Sequence, residues 1–340
     1  LALCLAQCSD PREKPLDPTT PKATQAWTLL LYNDADFAPG YDPTADFVAE
    51  MYGVEPLNVL ILRDAHPTNA GDCNTLLHRP EDDATAAIFQ ADAEGVHLLK
   101  ELGEVSMGKA STLADFVRYA KTYFPAERYV LAVYDHGAGF SGSCRDDTDS
   151  DWLDMLEMRD ALRDSGGVDV LMFTAPCLMA SLEAMFEVKD HAQFYVGSEN
   201  TSGYCYWFHA MTDIRNLLQT APGISTLDFV QEVIRFMSRY RCIEFVGEEE
   251  ITMSAVRSDR LDAVVSKFAE ISRNYHSVKA SQDRLVGFLQ EHYTEVETYA
   301  DFNMDLSNLA EKMALAENDG EAREAWKELQ DLIAQAVVAE

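Results

Sequence analysis

Short apolar runs alternate with stretches of helical periodicity along most of this chain. The runs at residues 27–32, 57–62, 129–134, 168–173, 194–197 and 251–256 each end in polar residues. A run that is apolar at every position is typical of a strand buried on both faces of a parallel sheet. The pattern therefore predicts an α/β fold in which helices cover a mostly parallel sheet.

The segments between these runs carry apolar residues three or four positions apart, which predicts amphipathic helices that pack on the sheet. The predicted stripes are Leu113, Phe116, Val117 and Ala120; Leu178, Leu182, Met185 and Phe186; Leu227, Val230, Ile234 and Met237; and Leu261, Val264, Val265, Phe268 and Ile271. Residues 283–340 are predicted to be helical throughout, with Trp326, Leu329, Ile333 and Val337 on one face. We expect a main domain at residues 26–280 and a helical extension at 281–340.

Two polar groups that follow successive predicted strands can carry chemistry. His136 follows the run at 129–134, and Cys177 follows the run at 168–173. The carboxyl ends of parallel strands meet at one edge of a sheet, so neighbouring strands would bring these side chains together. A cysteine and a histidine placed in this way are typical of a nucleophile and its acid/base partner.

The local sequence around Cys177 favours an activated thiol. The apolar period that begins at Leu178 places Cys177 at the start of a predicted helix, where the helix dipole would stabilise a thiolate. Gly137 lets a backbone N–H approach a substrate carbonyl, and the amides of Gly137 and Cys177 are the expected oxyanion donors. Taken alone, the residues leave open that the cysteine is a small core residue and the histidine structural.

Several motifs, in order, resemble the clostripain-like cysteine peptidases, which are relatives of caspases, legumain and gingipains. The similar segments are residues 102–108, the Asp135-His136-Gly137-x-Gly139 stretch, residues 177–183 and residues 196–199. The resemblance extends from Trp27 to Ser272. It implies a caspase-like three-layer α/β/α sandwich, with His136 as acid/base and Cys177 as nucleophile of a peptide hydrolase that needs no cofactor.

The chain departs from the family pattern just before the nucleophile. The family usually has Phe-Asp-x-Cys, in which the aspartate selects arginine or lysine before the cleaved bond, whereas Ala175 stands two residues before Cys177 here. Alanine cannot form a charge pair, so we expect specificity for a small or apolar residue. By resemblance, Ser198 and Glu199 line the same substrate pocket, and either Glu199 or an acid of the loop at 146–151 could substitute for the missing acid.

The charge of the chain limits its partners. The 340 residues include 58 acidic and 27 basic ones, a formal net charge of -31, with 47% hydrophobic residues. Such a surface repels phosphate backbones, so we expect a peptide or protein substrate and no nucleic acid. Alternating Asp147, Asp149 and Asp151 resemble the start of an EF-hand, but Trp152 and Met158 replace the required Gly and Glu. A solvated acidic loop is therefore favoured over calcium binding.

The first residues indicate export. The stretch Leu5-Ala6-Gln7-Cys8 resembles a lipoprotein cleavage box, so residues 1–25 are predicted to be a signal remnant with a lipid anchor at Cys8 and a tether. A random apolar start is the alternative. We expect an envelope lipoprotein or a secreted protein, with membrane contact only through Cys8. Pairing among Cys73, Cys144, Cys205 and Cys242 stays open.

Two other functions compete with proteolysis. One is an envelope-anchored binding protein with an inactive peptidase fold, because the run before Cys177 is altered. The other is a transpeptidase or amidase that uses the same dyad.

Overall fold

A nine-stranded mixed sheet forms the centre of the molecule. The computed structural model describes residues 15–37, 42–68, 71–74, 76–77, 79–80, 83–202, 205–239, 252–277, 283, 286–287, 296–299 and 303–340. The order of the strands is β13-β10-β9-β8-β5-β1-β2-β3-β4. Their bounds are β1 Gln25–Ala35, β2 Leu57–Ala65, β3 Ala86–Asp92, β4 Gly95–Gly103, β5 Ala126–Tyr134, β8 Val168–Phe173, β9 Ala192–Ser198, β10 Met253–Arg257 and β13 Val337–Ala339. Two separate two-stranded sheets pair β6 Ser143–Asp146 with β7 Asp151–Leu153 and β11 Thr298–Tyr299 with β12 Asn303–Met304.

All six predicted apolar runs form strands of this central sheet. The inner strands β9, β8, β5, β1 and β2 pair in parallel, while β10, β13, β3 and β4 pair antiparallel at the two sides. The five inner strands are therefore all parallel, and the antiparallel strands lie at the two sides of the sheet. The hairpin β3–β4 has no counterpart among the predicted runs, and the edge strand β4 is buried only in its first half and is largely exposed from Lys100 on.

Helices cover both faces of the sheet. They are α1 Thr44–Glu50, α2 Gly71–Asn74, α3 Ala110–Tyr123, α4 Met155–Ser165, α5 Leu182–Val188, α6 Cys205–Thr220, α7 Thr226–Met237, α8 Leu261–Ser277, α9 Leu306–Ala316 and α10 Gly320–Ala336. The core on one face includes residues of α3, α4, α5, α8, α9 and α10. The core on the other face includes residues of α1, α6 and α7. The three-layer α/β/α arrangement expected from the sequence is confirmed.

Successive residues of a strand belong to the two cores in turn, because side chains alternate between the two faces of the sheet. In β1, Leu30 and Tyr32 belong to one core, and Leu29 and Leu31 belong to the other. This alternation explains why the inner strands are apolar at nearly every position. It also leaves only the strand ends free to carry polar groups.

The C-terminal segment is not helical throughout. It contains α9 and α10, but its last residues form β13, which pairs with β10 at the edge of the main sheet. Val337, which was expected on a helix face with Trp326, therefore lies in a strand. Helical periodicity could not predict this, because the strand is defined by a long-range contact with β10. The predicted domain boundary at residue 281 stays a prediction.

Only part of the predicted N-terminal tether is described. Residues 15–24 form no helix or strand, yet the Leu16 amide donates to the Leu98 carbonyl and the Lys22 amide to the Tyr123 carbonyl. This stretch therefore lies against β4 and α3. Cys4, Cys8 and the predicted lipoprotein box lie outside the described residues, as does Cys242.

Candidate active site

His136 lies two residues beyond the end of β5, at the carboxyl edge of the parallel strands. Its side chain is exposed, and one face of the site is closed by Phe37, whose ring centroid is 4.7 Å from that of His136 in an edge-to-face arrangement. The His136 carbonyl accepts from the Ser143 hydroxyl at 2.8 Å and the Cys144 amide at 3.3 Å. These bonds fix the histidine loop against β6.

The electrostatic surroundings keep the His136 imidazole mostly neutral near pH 7. Although the side chain is exposed, the surrounding loops remove part of the water around its ring, and this desolvation lowers the pKa of His136 below the ordinary value of 6.5. The Arg145 guanidinium lowers the pKa further. The Asp147 carboxylate acts in the opposite direction. A neutral imidazole can accept a proton from a thiol, which is what a general base in this position requires.

Cys177 follows β8, the direct neighbour of β5. Thr174 extends the pairing of the two strands, since its amide and its hydroxyl both donate to the Val133 carbonyl, at 3.0 and 2.9 Å. Asp135 alone lies between the end of β5 and His136, and Ala175 and Pro176 lie between Thr174 and Cys177. The sequence prediction that these side chains leave neighbouring strands is confirmed by the pairing of β5 with β8.

The predicted helix N-terminus at Cys177 is wrong. Residues 177–180 form turns, and α5 begins only at Leu182, with Ser181 as its N-cap. Leu178 has a φ of 63°, a left-handed conformation that is rare and costly for a bulky residue. Its buried side chain accounts for the apolar signal that predicted an earlier helix start.

The segment after β9, rather than a helix, binds the turn at residues 177–180, which contains the predicted nucleophile. The Leu178 amide donates to the Asn200 carbonyl at 3.1 Å, and the Ala180 amide donates to the Ser198 carbonyl at 2.9 Å. The Ser202 amide donates to the Cys177 sulfur at 3.3 Å. A backbone N–H that points at the sulfur stabilises a thiolate electrostatically, as the positive end of a helix dipole would.

Gly137 brings the histidine and cysteine loops into direct contact. A Cβ on Gly137 would lie 2.5 Å from the Cys177 carbonyl oxygen, 2.7 Å from Pro176 Cβ and 2.9 Å from the Cys177 nitrogen. Only glycine allows this approach. The β-bridge between Gly137 and Ser143 is made by the His136 carbonyl and the Ala138 amide, so it does not use the Gly137 N–H.

The three predicted pocket residues lie around the same edge. Ala175 is half-buried and packs against the apolar core beneath the loop. Ser198 is buried, with its hydroxyl 2.7 Å from that of Thr252, and Glu199 is half-buried, with its amide bonded to the Thr252 carbonyl. Ser198 therefore contacts the nucleophile turn through its carbonyl, and the substrate-binding roles of the three residues stay predictions.

The acidic loop forms the β6–β7 hairpin and its turn. The Asp146 carboxylate accepts from the amides of Met107 and Asp149, and the Asp151 carboxylate accepts from the Ser106 hydroxyl and the Trp152 amide. The alternating acids that resemble an EF-hand thus serve different local contacts. Calcium binding by this loop alone stays untested.

Cys73, Cys144 and Cys177 form no disulfide among the described residues. Cys73 and Cys144 are buried, and burial raises the pKa of each thiol, to about 12 for Cys73. Among the described thiols, Cys177 is the most accessible to a substrate.

The sequence pattern did not predict two neighbours of His136 and Cys177. Phe37 follows β1 and Ser202 follows β9, and each contacts its partner across the sheet edge. The polar cluster at 198–200 was the only signal near Ser202. Nothing in the sequence pointed to Phe37, because its position depends on the order of the strands.

A mostly parallel three-layer sandwich with a cysteine and a histidine on adjoining strand ends has the architecture of a caspase-like cysteine peptidase. A family model of the clostripain family, Peptidase_C11, matches residues 47–337. The chain therefore belongs to the clostripain family.

Individual relatives agree with this assignment. The chain is 29% identical over 192 residues to clostripain of Hathewaya histolytica, a match that covers 48% of this chain and 36% of that protein. The chain thus spans about a third of the length of this curated relative.

Solved structures show the same fold. A secreted C11 cysteine protease from Bacteroides thetaiotaomicron, in complex with an irreversible peptide inhibitor, superposes with a TM-score of 0.61 at 16% identity, over 92% of this chain and 83% of that one. An inactive zymogen C11 protease from Parabacteroides distasonis gives 0.64 at 16% identity, over 93% and 84%. At this identity the likeness shows the fold alone.

Proposed function

We propose that this chain is a cysteine endopeptidase in which Cys177 and His136 form the catalytic dyad. The observation that carries the proposal is the contact of Gly137 with the Cys177 backbone, which joins the two loops at the carboxyl edge of β5 and β8. Membership of the clostripain family supports the same activity.

The proposed reaction uses only groups of this chain. His136 takes the thiol proton, and the Cys177 sulfur attacks the carbonyl carbon of the scissile bond. The backbone amides of Gly137 and Cys177 bind the resulting oxyanion. The C–N bond then breaks as the His136 imidazolium gives its proton to the leaving amine, and water, activated by His136, hydrolyses the thioester.

We further propose that the preference before the cleaved bond is not for arginine or lysine. Ala175 offers no carboxylate, and it packs against apolar residues rather than facing a charged partner. A small or apolar side chain of the substrate would pack against this apolar surface. Substituting Ala175→Asp would introduce the missing acid and should raise the ratio of basic to apolar cleavage at least about tenfold, which corresponds to about 1.4 kcal/mol.

A positional-scanning fluorogenic peptide library tests both proposals. Wild type should turn over peptides, and Cys177→Ala should lose at least about 1000-fold of that activity, because the nucleophile is gone. An alkylating probe should label Cys177 selectively at neutral pH. Full activity in Cys177→Ala would disprove the dyad, and a dominant arginine or lysine preference in wild type would disprove the specificity proposal.

We also propose that the protein is exported. The family neighbours from Bacteroides thetaiotaomicron are described as secreted. Among the described residues, no helix is long and apolar enough to cross a membrane. If Cys8 carries a lipid, Cys8→Ser should move the full-length protein from the membrane to the soluble fraction, and an unchanged distribution would remove the anchor from the proposal.

A further inference from the structure

Thr252, which directly precedes β10, binds three successive residues at the end of β9. Its carbonyl accepts from the Glu199 amide at 3.3 Å, which continues the antiparallel pairing of β10 with β9. Its hydroxyl lies 2.7 Å from the Ser198 hydroxyl and accepts from the Asn200 amide at 3.1 Å. This single hydroxyl therefore holds the segment on both sides of Glu199.

The same segment holds the turn at residues 177–180. The Ser198 carbonyl accepts from the Ala180 amide at 2.9 Å, and the Asn200 carbonyl accepts from the Leu178 amide at 3.1 Å. Both residues that bind the turn through their carbonyls are residues that the Thr252 hydroxyl contacts. Thr252 is thus connected to the turn through two parallel pairs of hydrogen bonds.

The turn depends on such support because of its backbone conformation. Leu178 has a φ of 63°, and a bulky residue keeps this left-handed conformation only where the surrounding structure imposes it through several contacts. The bonds from the Leu178 and Ala180 amides are two of these contacts. If the segment at 198–200 were released, the turn would relax toward ordinary backbone geometry and move the adjacent Cys177.

The hydrogen bonds of this segment end at the sulfur of Cys177. The Asn200 side chain accepts from the Thr201 amide at 2.7 Å, which fixes the bend of the backbone that precedes Ser202. The Ser202 amide then donates to the Cys177 sulfur at 3.3 Å. Such a bond stabilises a thiolate only while the N–H points at the sulfur, because a hydrogen bond weakens steeply as it bends.

We propose that Thr252 is a positioning residue for the Cys177 thiolate. Its hydroxyl aligns the segment at 198–202, and this alignment aims the Ser202 amide at the sulfur while it holds the turn that carries the sulfur. The inference rests on the proposed function, in which Cys177 is the nucleophile, and extends it to a residue outside the four segments whose motifs resemble the family.

The rate at which iodoacetamide alkylates Cys177, followed by mass spectrometry from about pH 5 to about pH 10, tests the proposal without peptide hydrolysis. Thr252→Val keeps the shape of the side chain and removes the hydroxyl. The midpoint of the pH profile should rise by about one unit, because a hydrogen bond to the charged sulfur is lost, and one unit is a tenfold loss of thiolate below the midpoint. At about pH 10 all variants should react equally fast, since the thiol is ionised in each.

Three further variants separate positioning from general stability. Thr252→Ser keeps the hydroxyl and should restore the wild-type midpoint. Ser198→Ala should raise the midpoint by less than Thr252→Val does, because the bond between Thr252 and the Asn200 amide remains. His136 and Glu199, the titratable residues on the loops after β5 and β9 beside Cys177, are the same in every variant.

Thr28→Val is the matched structural control. The buried Thr28 hydroxyl also makes two hydrogen bonds, to the Phe124 carbonyl at 2.9 Å and from the Asn58 side chain at 3.0 Å. It lies on β1 in register with Tyr129, toward the opposite end of the strands from His136. Thr28→Val should therefore lower the Tm and leave the alkylation profile unchanged.

An unchanged midpoint in folded Thr252→Val, an equal shift in Thr28→Val, or no recovery in Thr252→Ser would each overturn the proposal. If melting curves show that Thr252→Val does not fold, an unchanged midpoint in Ser198→Ala overturns it instead. A shift that depends on Thr252 in a chain that cleaves no peptide would support the positioning role and refute the proposed peptidase activity.

Discussion

The contact between Gly137 and the nucleophile turn makes a quantitative prediction for Gly137→Ala. The added Cβ would lie 2.5 Å from the Cys177 carbonyl oxygen, which is about 1 Å short of an optimal non-bonded separation. The atoms in the way are backbone atoms and a proline ring carbon, so no flexible side chain can yield. One of the two loops must therefore move.

The displacement should affect catalysis more than stability. A shift of about 1 Å between reacting groups costs on the order of 100-fold in rate. Overpacking of this kind typically lowers the free energy of unfolding by about 1–3 kcal/mol. We therefore expect kcat/KM to fall about 100-fold while the chain stays folded.

The assay is kcat/KM on the best substrate from the peptide library, with urea unfolding of the same preparations. Gly223→Ala is the matched control, because a Cβ on Gly223 meets nothing within 4 Å. It should keep wild-type activity. If Gly137→Ala retained kcat/KM within about threefold of the control, the two loops could not be closely coupled in the active molecule, and the reasoning would be refuted.

Three further predictions concern the surroundings of the site and the attachment of the C-terminal helices. Arg63→Met leaves Asp42 as an uncompensated buried charge, so the free energy of unfolding in urea should fall by about 3–5 kcal/mol. Tyr275→Phe removes a hydroxyl that donates to a buried glutamate and accepts from a tryptophan of α10, so it should cost about 1–3 kcal/mol in one cooperative transition. Arg145→Gln removes a positive charge that disfavours the imidazolium, so the pKa of His136 should rise in an NMR titration.

One control serves two of these experiments. Arg239 forms a long, partly exposed ion pair with Asp213, so its substitution should change stability by less than about 1 kcal/mol and leave the pKa of His136 unchanged. An equal effect of Arg63→Met and Arg239→Met, or a fall in the pKa of His136, would contradict the predicted electrostatics. A separate second transition in Tyr275→Phe would indicate that α9 and α10 unfold on their own.

The inner strands, and the position of His136 and Cys177 just after two of them, were predictable because their signals are local. Each inner strand of the parallel sheet is buried on both faces, so it must be apolar at nearly every position, and that requirement is visible without knowing its neighbours. His136 and Cys177 follow two such runs directly. The edge strands β4 and β13 were not predicted, because an edge strand is buried on fewer sides and its place depends on pairing with a distant strand.

The immediate environment of Cys177 was decided by the tertiary structure. Leu178 predicted a helix because its apolar side chain fits helical spacing. In the structure, carbonyls of the segment after β9 accept hydrogen bonds from the amides of this turn, and the helix begins at Leu182. A sequence pattern indicates which residues are buried, but not which distant backbone groups form hydrogen bonds with them.

The sequence by itself determined the α/β layers, the position of a cysteine and a histidine at strand ends, and the likeness to clostripain-like peptidases. Only the tertiary structure decided that β5 and β8 are neighbours and that Gly137 touches Cys177. The physical reason is that burial periodicity is a property of each segment. Contacts between strand ends depend on the order in which all segments pack.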